Sequence, residues 1–190
     1  MVFYNNYNNL TKDIMSCTKC ELCKTRNKIV VGEGNINAKL MFIGEAPGYD
    51  EDKIGKPFVG KAGKLLDQIL NRIGLDRNDI YICNILKCRP PGNRNPKEEE
   101  INACIDYLKN QIMIIKPKII VLLGSVALKQ IFGEDMGITK SRGKWLELKG
   151  IYYLPTWHPA AVLRDENKLK QFYRDLKLSK YALDKLENKK

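Results

Sequence analysis

Four short apolar runs, separated by segments with helical periodicity, most constrain the fold of this chain. The runs are LMFIGE (40–45), DIYICNIL (79–86), IIVLLG (119–124) and IYYLPTW (151–157). The third run shows no polar alternation, which is typical of a strand that is buried on both faces. Because strands that alternate with helices form a parallel sheet covered on both sides, the pattern predicts one α/β domain over residues 1–190.

Segments with helical periodicity fill the intervals between these runs. Apolar residues over 65–73 share one helical face, and Gly74 is placed to end that helix. A second helix is predicted to begin with Asn95 as its N-cap. Residues 125–132 predict a third helix, and residues 165–186 predict the last one.

The loops that follow the predicted strands are rich in glycine, proline and polar residues. They are GEAPGYDED after the first strand, NILKCRPPGNRNP after the second and WHPAAVLR after the fourth. A parallel sheet places its chemistry beyond the carboxyl ends of its strands. We therefore expect a functional site at this edge of the sheet.

Charge and length restrict the class of protein and its partners. The formal net charge of +11 favours a polyanionic partner, nucleic acid first, although solubility alone would also explain it. The sequence has neither an 18-residue apolar run nor a secretory signal, so we expect a cytoplasmic, nucleoid-associated monomer without a membrane partner. Residues 1–30 form a cysteine-bearing extension, and residues 187–190 are expected to be a disordered tail.

Six cysteines in a chain expected in a reducing compartment indicate a metal site or catalysis rather than disulfides. Three of them lie in CTKCELC, and a CxxC pair suits zinc, iron–sulfur clusters and redox dithiols alike. The proline-flanked cysteine that would complete a ferredoxin-like run is missing, so further ligands must come from elsewhere in the chain. Spacing alone leaves zinc and iron–sulfur equally open. The thiols in CTKCELC are those of Cys17, Cys20 and Cys23, and the more distant ones are those of Cys83, Cys88 and Cys104.

Two polar residues at strand ends are further candidates. His158 is the only histidine, and Pro159 after it favours an extended backbone that could aim the imidazole out of the sheet edge. Asn84 interrupts an otherwise apolar strand near its end, where a hydrogen-bonded core asparagine is the alternative. We expect both residues to belong to the site.

Several motifs in order resemble the iron–sulfur uracil-DNA glycosylases of family 4. They are GEAPG (44–48), GKPFVGKAGKLLD (55–67), YICNILKCRPPGNR (81–94), RGKW (142–145) and HPA (158–160). The resemblance implies a three-layer α/β/α sandwich with a four-stranded parallel sheet. It also implies a [4Fe–4S] cluster, whose ligands would be Cys17, Cys20, Cys88 and Cys104, with Cys23 and Cys83 left over.

The resemblance further implies an enzyme that flips uracil out of DNA and hydrolyses its N-glycosidic bond, which initiates base excision repair. His158 would donate a hydrogen bond to O2 of the departing uracil, and Phe58 would stack on the ring. Asn84 would identify the base by donating to O4 and accepting from N3–H. The backbone of Glu45 and Ala46, followed by Pro47, would line the pocket.

Two assignments stay open at this point. Ala46 stands where better-studied uracil glycosylases carry an aspartate, so Glu45 or Glu51 would orient the water. We favour Glu45, since Glu51 lies in what could be a solvated acidic turn.

After HPA, Val162 or Leu163 would be the wedge that fills the space left in the duplex by the flipped base. Arg164 would bind a phosphate.

Two other functions compete with this hypothesis. A non-catalytic zinc- or iron–sulfur-bearing nucleic-acid-binding protein would explain the charge and the thiols, but it would leave GEAPG, Asn84 and His158 without a role. A redox protein would need a flavin or dinucleotide fingerprint, and GEGN (32–35) lacks the glycine spacing of that motif.

Overall fold

A six-stranded sheet forms the middle layer of the molecule in the computed structural model, which describes residues 2–188. Its strands are β1 (Glu33–Gly34), β2 (Leu40–Gly44), β3 (Tyr81–Asn84), β4 (Ile119–Leu123), β5 (Leu146–Leu148) and β6 (Ile151–Thr156). The spatial order is β1-β3-β2-β4-β6-β5, with β3, β2, β4 and β6 parallel and β1 and β5 antiparallel at the edges. The predicted four-stranded parallel sheet is therefore the centre of a larger, mixed sheet. The two edge strands, of two and three residues, are too short to give a periodic signal.

Helices connect the strands and cover both faces of the sheet. They are α1 (Tyr7–Met15), α2 (Tyr49–Ile54), α3 (Lys61–Arg72), α4 (Glu98–Ile115), α5 (Ser125–Phe132), α6 (Ile138–Ser141), α7 (Pro159–Arg164) and α8 (Leu169–Glu187). Short 3-10 helices occupy Glu21–Lys24, Pro91–Asn93 and Glu166–Lys168. The predicted three-layer α/β/α class is confirmed.

Two helix boundaries differ from those predicted. The N-cap of α4 is Lys97 rather than Asn95, because the buried Glu100 carboxylate accepts a hydrogen bond of 2.8 Å from the Lys97 backbone N–H and also binds Arg94. The last predicted helix is divided, since Asp165 accepts a bond from the Asn167 backbone N–H and begins the separate 3-10 turn. Helix α8 then continues through residue 187, and residues 189 and 190 of the predicted tail lie outside the described part of the chain.

Alternate residues of the central strands supply two separate cores. Met41 and Ile43 of β2 face the layer that contains α1, α4 and α5. Leu40 and Phe42 of the same strand face the layer that contains α3, α7 and α8. Because both strand faces are covered, the strand sequence is apolar throughout, which is the pattern that predicted a doubly covered sheet.

The N-terminal extension is part of the first core. Leu10 and Ile14 of α1 are both fully buried there, and α1 packs on α4. This packing brings the cysteine-bearing segment that follows α1 against the middle of the domain. None of the helices within residues 2–188 is both long and apolar enough to cross a membrane.

A buried ion pair joins the end of β6 to α8. Asp175, 1% exposed, accepts hydrogen bonds from Thr156 Oγ1 at 2.7 Å and from Arg142 Nε at 2.9 Å, and it also binds Arg142 Nη2. The RGKW motif thus contributes Arg142 to the fold at this point. The contact fixes the strand end two residues before His158.

We expect Asp175→Ala to lower the free energy of unfolding by about 3–5 kcal/mol, because it leaves the half-buried Arg142 cation and Thr156 without their partner. The matched control is Asp184→Ala on the same helix, whose half-exposed pair with Lys180 is worth about 0.5 kcal/mol or less. Urea unfolding of both variants measures the difference. Equal losses in the two variants would contradict a structural role for the buried pair.

Candidate functional site

A cleft opens beyond the carboxyl ends of β2, β3 and β6, at the edge where the sequence predicts a site. The residues predicted to contact substrate all line this one cleft. They are Glu45, Ala46 and Pro47 after β2, Phe58 in the following loop, Asn84 at the end of β3, and His158 after β6. Arg164 lines the same cleft from the end of α7.

The end of β3 presents Asn84 to the cleft beside Gly44 of β2, its direct partner in the parallel register. A Cβ atom at position 44 would lie 2.6 Å from Phe58 Cζ and closer still to Asn84 Oδ1. Asn84 is 1% exposed, and its Oδ1 accepts no hydrogen bond in the described part of the chain. The cleft therefore contains an oriented acceptor without a partner, which a satisfied core asparagine would not be.

The Phe58 ring is held at the cleft by an unusual backbone conformation. Phe58 has φ of 52°, and Arg77 donates from Nη1 to the Phe58 carbonyl at 3.1 Å and from Nη2 to the Pro57 carbonyl. A side chain at Gly63 would collide with the Phe58 backbone, so α3 begins close beneath it. The ring consequently faces the His158 imidazole, with centroids 5.7 Å apart and planes 35° from parallel.

The backbone around α7 determines which nitrogen of His158 carries the proton. His158 is the N-cap of α7, and its Nδ1 accepts a hydrogen bond of 3.2 Å from the Ala160 backbone N–H. In a neutral imidazole the proton must then be on Nε2. Burial, first, and the positive charge of Arg164, second, lower the pKa of His158 to about 4. At neutral pH the residue is thus an uncharged donor through Nε2–H.

The two candidate carboxylates have different surroundings. Glu51 is buried, and its oxygens accept hydrogen bonds from the backbone N–H groups of Gly48, Val59 and Gly60 at 3.1, 2.9 and 2.9 Å. The alternative of a solvated acidic turn is wrong for Glu51, which joins the GEAPG loop to the Phe58 loop. Glu45 lines the cleft, where burial raises its pKa and Arg164 opposes that shift.

The three residues predicted to contact DNA lie on α7 with different exposure. Val162 is 2% exposed and packs in the core with Phe58 and Leu66, whereas Leu163 is 49% exposed. Arg164 is exposed at the end of the helix. Only Leu163 and Arg164 of the three are accessible to a large partner.

Four cysteines from three distant segments line a second cavity. Cys17 follows α1, Cys20 precedes the 3-10 helix Glu21–Lys24, Cys88 follows β3, and Cys104 lies on α4. Arg26 donates from Nη1 to Cys88 Sγ at 3.2 Å and from Nη2 to the Cys17 carbonyl at 2.8 Å. Burial raises the pKa of the Cys20 and Cys88 thiols, and it raises that of Cys104 to about 11. The thiols of Cys20, Cys88 and Cys104 therefore lose their protons only when a bound cation stabilises the thiolates.

The two remaining cysteines have different places. Cys23 also lines the cavity, with its Sγ 4.0 Å from the Thr18 carbonyl, whereas Cys83 is fully buried in β3 within the core. Among residues 2–188 the cysteines are free thiols, and no three Cys, His, Asp or Glu side chains converge closely enough to hold one metal ion. The five thiols that line the cavity are therefore gathered without meeting at one point.

Sequence analysis missed two residues that hold these sites together, Arg77 and Lys87, and it gave Glu51 a different role. Arg77 supports the Phe58 loop, Glu51 ties two loops, and Lys87 lies buried between Asn84 and the cysteine cavity. The sequence contains one signal for Lys87, which is its position in NILKC. There the charged residue follows two apolar residues and precedes Cys88, a candidate metal ligand.

The chain is similar to known proteins over most of its length. The family model of the uracil DNA glycosylase superfamily matches residues 31–177, which include every residue of the cleft. A type-4 uracil-DNA glycosylase from Sulfurisphaera tokodaii is 50% identical over 177 residues, covering 88% of this chain and 80% of that protein. A type-4 enzyme from Archaeoglobus fulgidus is 46% identical over 176 residues, 88% of each chain, and one from Thermotoga maritima is 46% identical over 160 residues, 83% of each chain.

We expect His158 to be a neutral Nε2–H tautomer from pH 5 to pH 8, because its pKa is lowered to about 4. As the chain has one histidine, labelling with ¹⁵N-histidine gives a single pair of ring nitrogen signals. Two-bond ¹H–¹⁵N correlation spectra identify the tautomer directly. A titration near the ordinary value of about 6.5 would contradict the buried, uncharged donor.

Proposed function

The chain belongs to the uracil DNA glycosylase superfamily and, within it, to the type-4 family, and we propose that it excises uracil from DNA as the first step of base excision repair. The reaction breaks the bond between N1 of uracil and C1′ of deoxyribose. Water supplies a hydroxyl to C1′, and uracil leaves as an anion that then takes up a proton. The products are free uracil and an abasic site in the DNA.

The observation that carries this proposal is the unpartnered Oδ1 of Asn84, buried in a cleft beside Phe58 and His158. Uracil presents N3–H, a donor, next to O4, an acceptor, and one asparagine amide complements both. Cytosine presents an acceptor and a donor in the same places. Because an acceptor left unpaired in a buried site is costly, a base without N3–H is rejected. Phe58 supplies a stacking surface that binds the flipped ring without identifying it.

His158 would stabilise the leaving group through its Nε2–H. As the glycosidic bond breaks, negative charge develops on uracil, mainly on O2, and a donor that is already oriented there lowers the barrier. Since Nδ1 is occupied by the Ala160 N–H, the imidazole cannot turn its acceptor nitrogen toward the cleft without losing that bond. A neutral donor also avoids the burial of an unpaired positive charge in the free enzyme.

Glu45 is the carboxylate that we assign to the water or to the cation-like sugar. It lines the cleft, whereas the oxygens of Glu51 are already engaged by three backbone N–H groups. The backbone of Glu45 and Ala46 and the ring of Pro47 form the adjoining wall. Arg164, close enough to shift the pKa of Glu45, would hold a DNA phosphate near the reacting sugar.

Leu163 is the residue that we propose as the wedge that fills the space left by the flipped nucleotide. Its side chain is half exposed on α7, next to Arg164, whereas Val162 is committed to the core beneath it. An apolar side chain inserted between base steps offsets part of the cost of unstacking. The +11 charge of the chain would attract the DNA backbone and make binding weaken steeply with salt.

We further propose that Cys17, Cys20, Cys88 and Cys104 hold a [4Fe–4S] cluster. The four thiols line one cavity, with a guanidinium beside them that suits anionic sulfur. A tetrahedral zinc ion needs its sulfurs at about 2.3 Å from a single point, whereas a cluster distributes its thiolates over several irons. The separated thiols therefore fit a cluster better than zinc. When bound, it would supply binding energy that closes long loops of the fold rather than take part in hydrolysis.

The activity is tested with a single-stranded oligonucleotide that contains one uracil, followed by alkali cleavage and detection of free uracil. We expect release by the wild-type protein, and we expect Asn84→Asp to lose most of its preference for uracil over cytosine. Because an aspartate has no amide N–H to donate to O4, uracil release should fall by about 10²-fold or more. The control is Asn93→Asp at the rim of the same cleft. Protein with a full metal complement that releases no uracil would refute the proposed function.

The cluster is tested by iron analysis and by absorbance near ~400 nm, as expected for iron bound by thiolates. We expect brown wild-type protein, loss of colour in Cys88→Ala, and retention of colour in Cys83→Ala, whose thiol lies in the core of β3. The two variants remove the same group five residues apart, so a general loss of stability would affect both. Colourless wild-type protein with stoichiometric zinc would instead support the nucleic-acid-binding alternative.

A further inference from the structure

Lys87 is the one lysine or arginine that is buried within residues 2–188, at 2% exposure. Its Nζ donates to the backbone carbonyl of Asn84 at 2.6 Å and to Gln111 Oε1 at 2.7 Å. The side chain thus reaches back toward the recognition residue, while the same residue lines the cysteine cavity. One buried cation therefore lies between the two centres of the molecule.

This cation has no carboxylate partner. No ion pair of 4.0 Å or less joins Lys87 to an acidic side chain in the part of the chain that the structure describes. A buried ammonium that has only neutral acceptors is costly, and proteins keep such a group where an anion compensates it. The anions that would compensate it are the cysteine thiolates of this cavity when they hold the proposed cluster.

Contacts between Lys87 and the cysteines agree with this assignment. Lys87 lines the same cavity as Cys88 and Cys104. Lys87 is also the residue directly before Cys88 in the chain. The ammonium therefore favours the anionic form of sulfur in this cavity.

A network of neutral hydrogen bonds fixes the other side of Lys87. Gln111, which accepts from Nζ, donates from Nε2 to the Val31 carbonyl at 2.8 Å and to Tyr81 Oη at 2.9 Å. Tyr81 Oη lies 2.6 Å from Tyr7 Oη on α1. Because Gln111 is held at two points, the ammonium cannot move without breaking several buried bonds.

We propose that Lys87 has two roles, as the counter-cation of the thiolate ligands and as the positioning residue for Asn84, so that one side chain couples the cysteine centre to base recognition. The inference rests on the proposed function and names a residue outside the assigned site. The hydrogen bond to the Asn84 carbonyl holds the last residue of β3 where its side chain lines the cleft. Removing the ammonium would therefore affect metal retention and the choice of base together.

The test compares Lys87→Met and Lys87→Gln with the wild-type protein, all purified with iron. Chelator is added, and the decay of absorbance near ~400 nm gives the half-life of the bound iron. Because both variants remove the charge, we expect both half-lives to shorten by about tenfold or more, the scale of outer-shell effects on metal affinity. Gln keeps a polar group in the buried space, so normal iron retention in Lys87→Gln would overturn the charge role.

The second readout is the ratio of kcat/KM for uracil to that for cytosine, with kcat and KM measured separately. We expect Lys87→Met to lower this ratio by about tenfold, mainly through a higher KM for uracil, because misplacement of Asn84 weakens binding in ground and transition states alike. An unchanged ratio would overturn the positioning role. A general loss of stability would lower kcat for both bases and leave the ratio as it was.

The matched control is Lys19→Met, which removes a lysine from the same cavity. Lys19 is half exposed, with its Nζ 4.2 Å from the Tyr107 ring centroid, so water screens its charge and both readouts should stay within twofold of wild type. Inactive or colourless wild-type protein would count against the proposed function. Active, iron-containing wild type with an unaltered Lys87→Met variant would overturn this inference alone.

Discussion

The cleft at the edge of the sheet depends on the close approach of Gly44, Asn84 and Phe58, the first of which has no side chain. Gly44 is the direct neighbour of Asn84 in the parallel register of β2 and β3, and the Phe58 ring occupies the space where a Cβ would project. The amide that we propose reads the base and the ring that we propose stacks on it can converge only because that space is free. The register of the central sheet therefore sets the geometry of recognition, and the rest of the fold maintains that register.

The sequence predicted the central sheet and the candidate residues at its edge for a common physical reason. Strands covered on both faces must be apolar throughout, so a polar residue at the end of such a run, such as Asn84 or His158, marks the place where the chain leaves the core. The carboxyl ends of parallel strands lie at one edge, so these residues meet there. Edge strands β1 and β5 are short and half exposed, and they carry no such signal.

Contacts that join distant segments could not be predicted from the sequence. Arg77 binds the carbonyls of Pro57 and Phe58 some twenty residues earlier, and Glu51 binds backbone N–H groups in two loops. In these bonds the partner is a backbone group. Because every residue type has a backbone, the sequence contains no pattern of partner residues that would predict them. The sequence also could not predict that Val162 is buried and Leu163 exposed. The two residues have similar polarity and differ only in the face of α7 that they occupy.

An unpaired acceptor in a buried cleft raises the free energy of the unliganded protein, by about 1–3 kcal/mol for a neutral group. Asn84 Oδ1 keeps this state only because its surroundings prevent relaxation: Lys87 fixes the Asn84 carbonyl, and Phe58 closes over Gly44. A ligand that donates at this point removes the penalty, whereas one that accepts there adds a second unpaired group. Under the proposed function, the rigidity of the free protein would thus be the source of the discrimination between bases. The N-terminal extension contributes to this rigidity, since Tyr7 of α1 contacts Tyr81, which accepts a hydrogen bond from Gln111, and Gln111 in turn accepts one from Lys87.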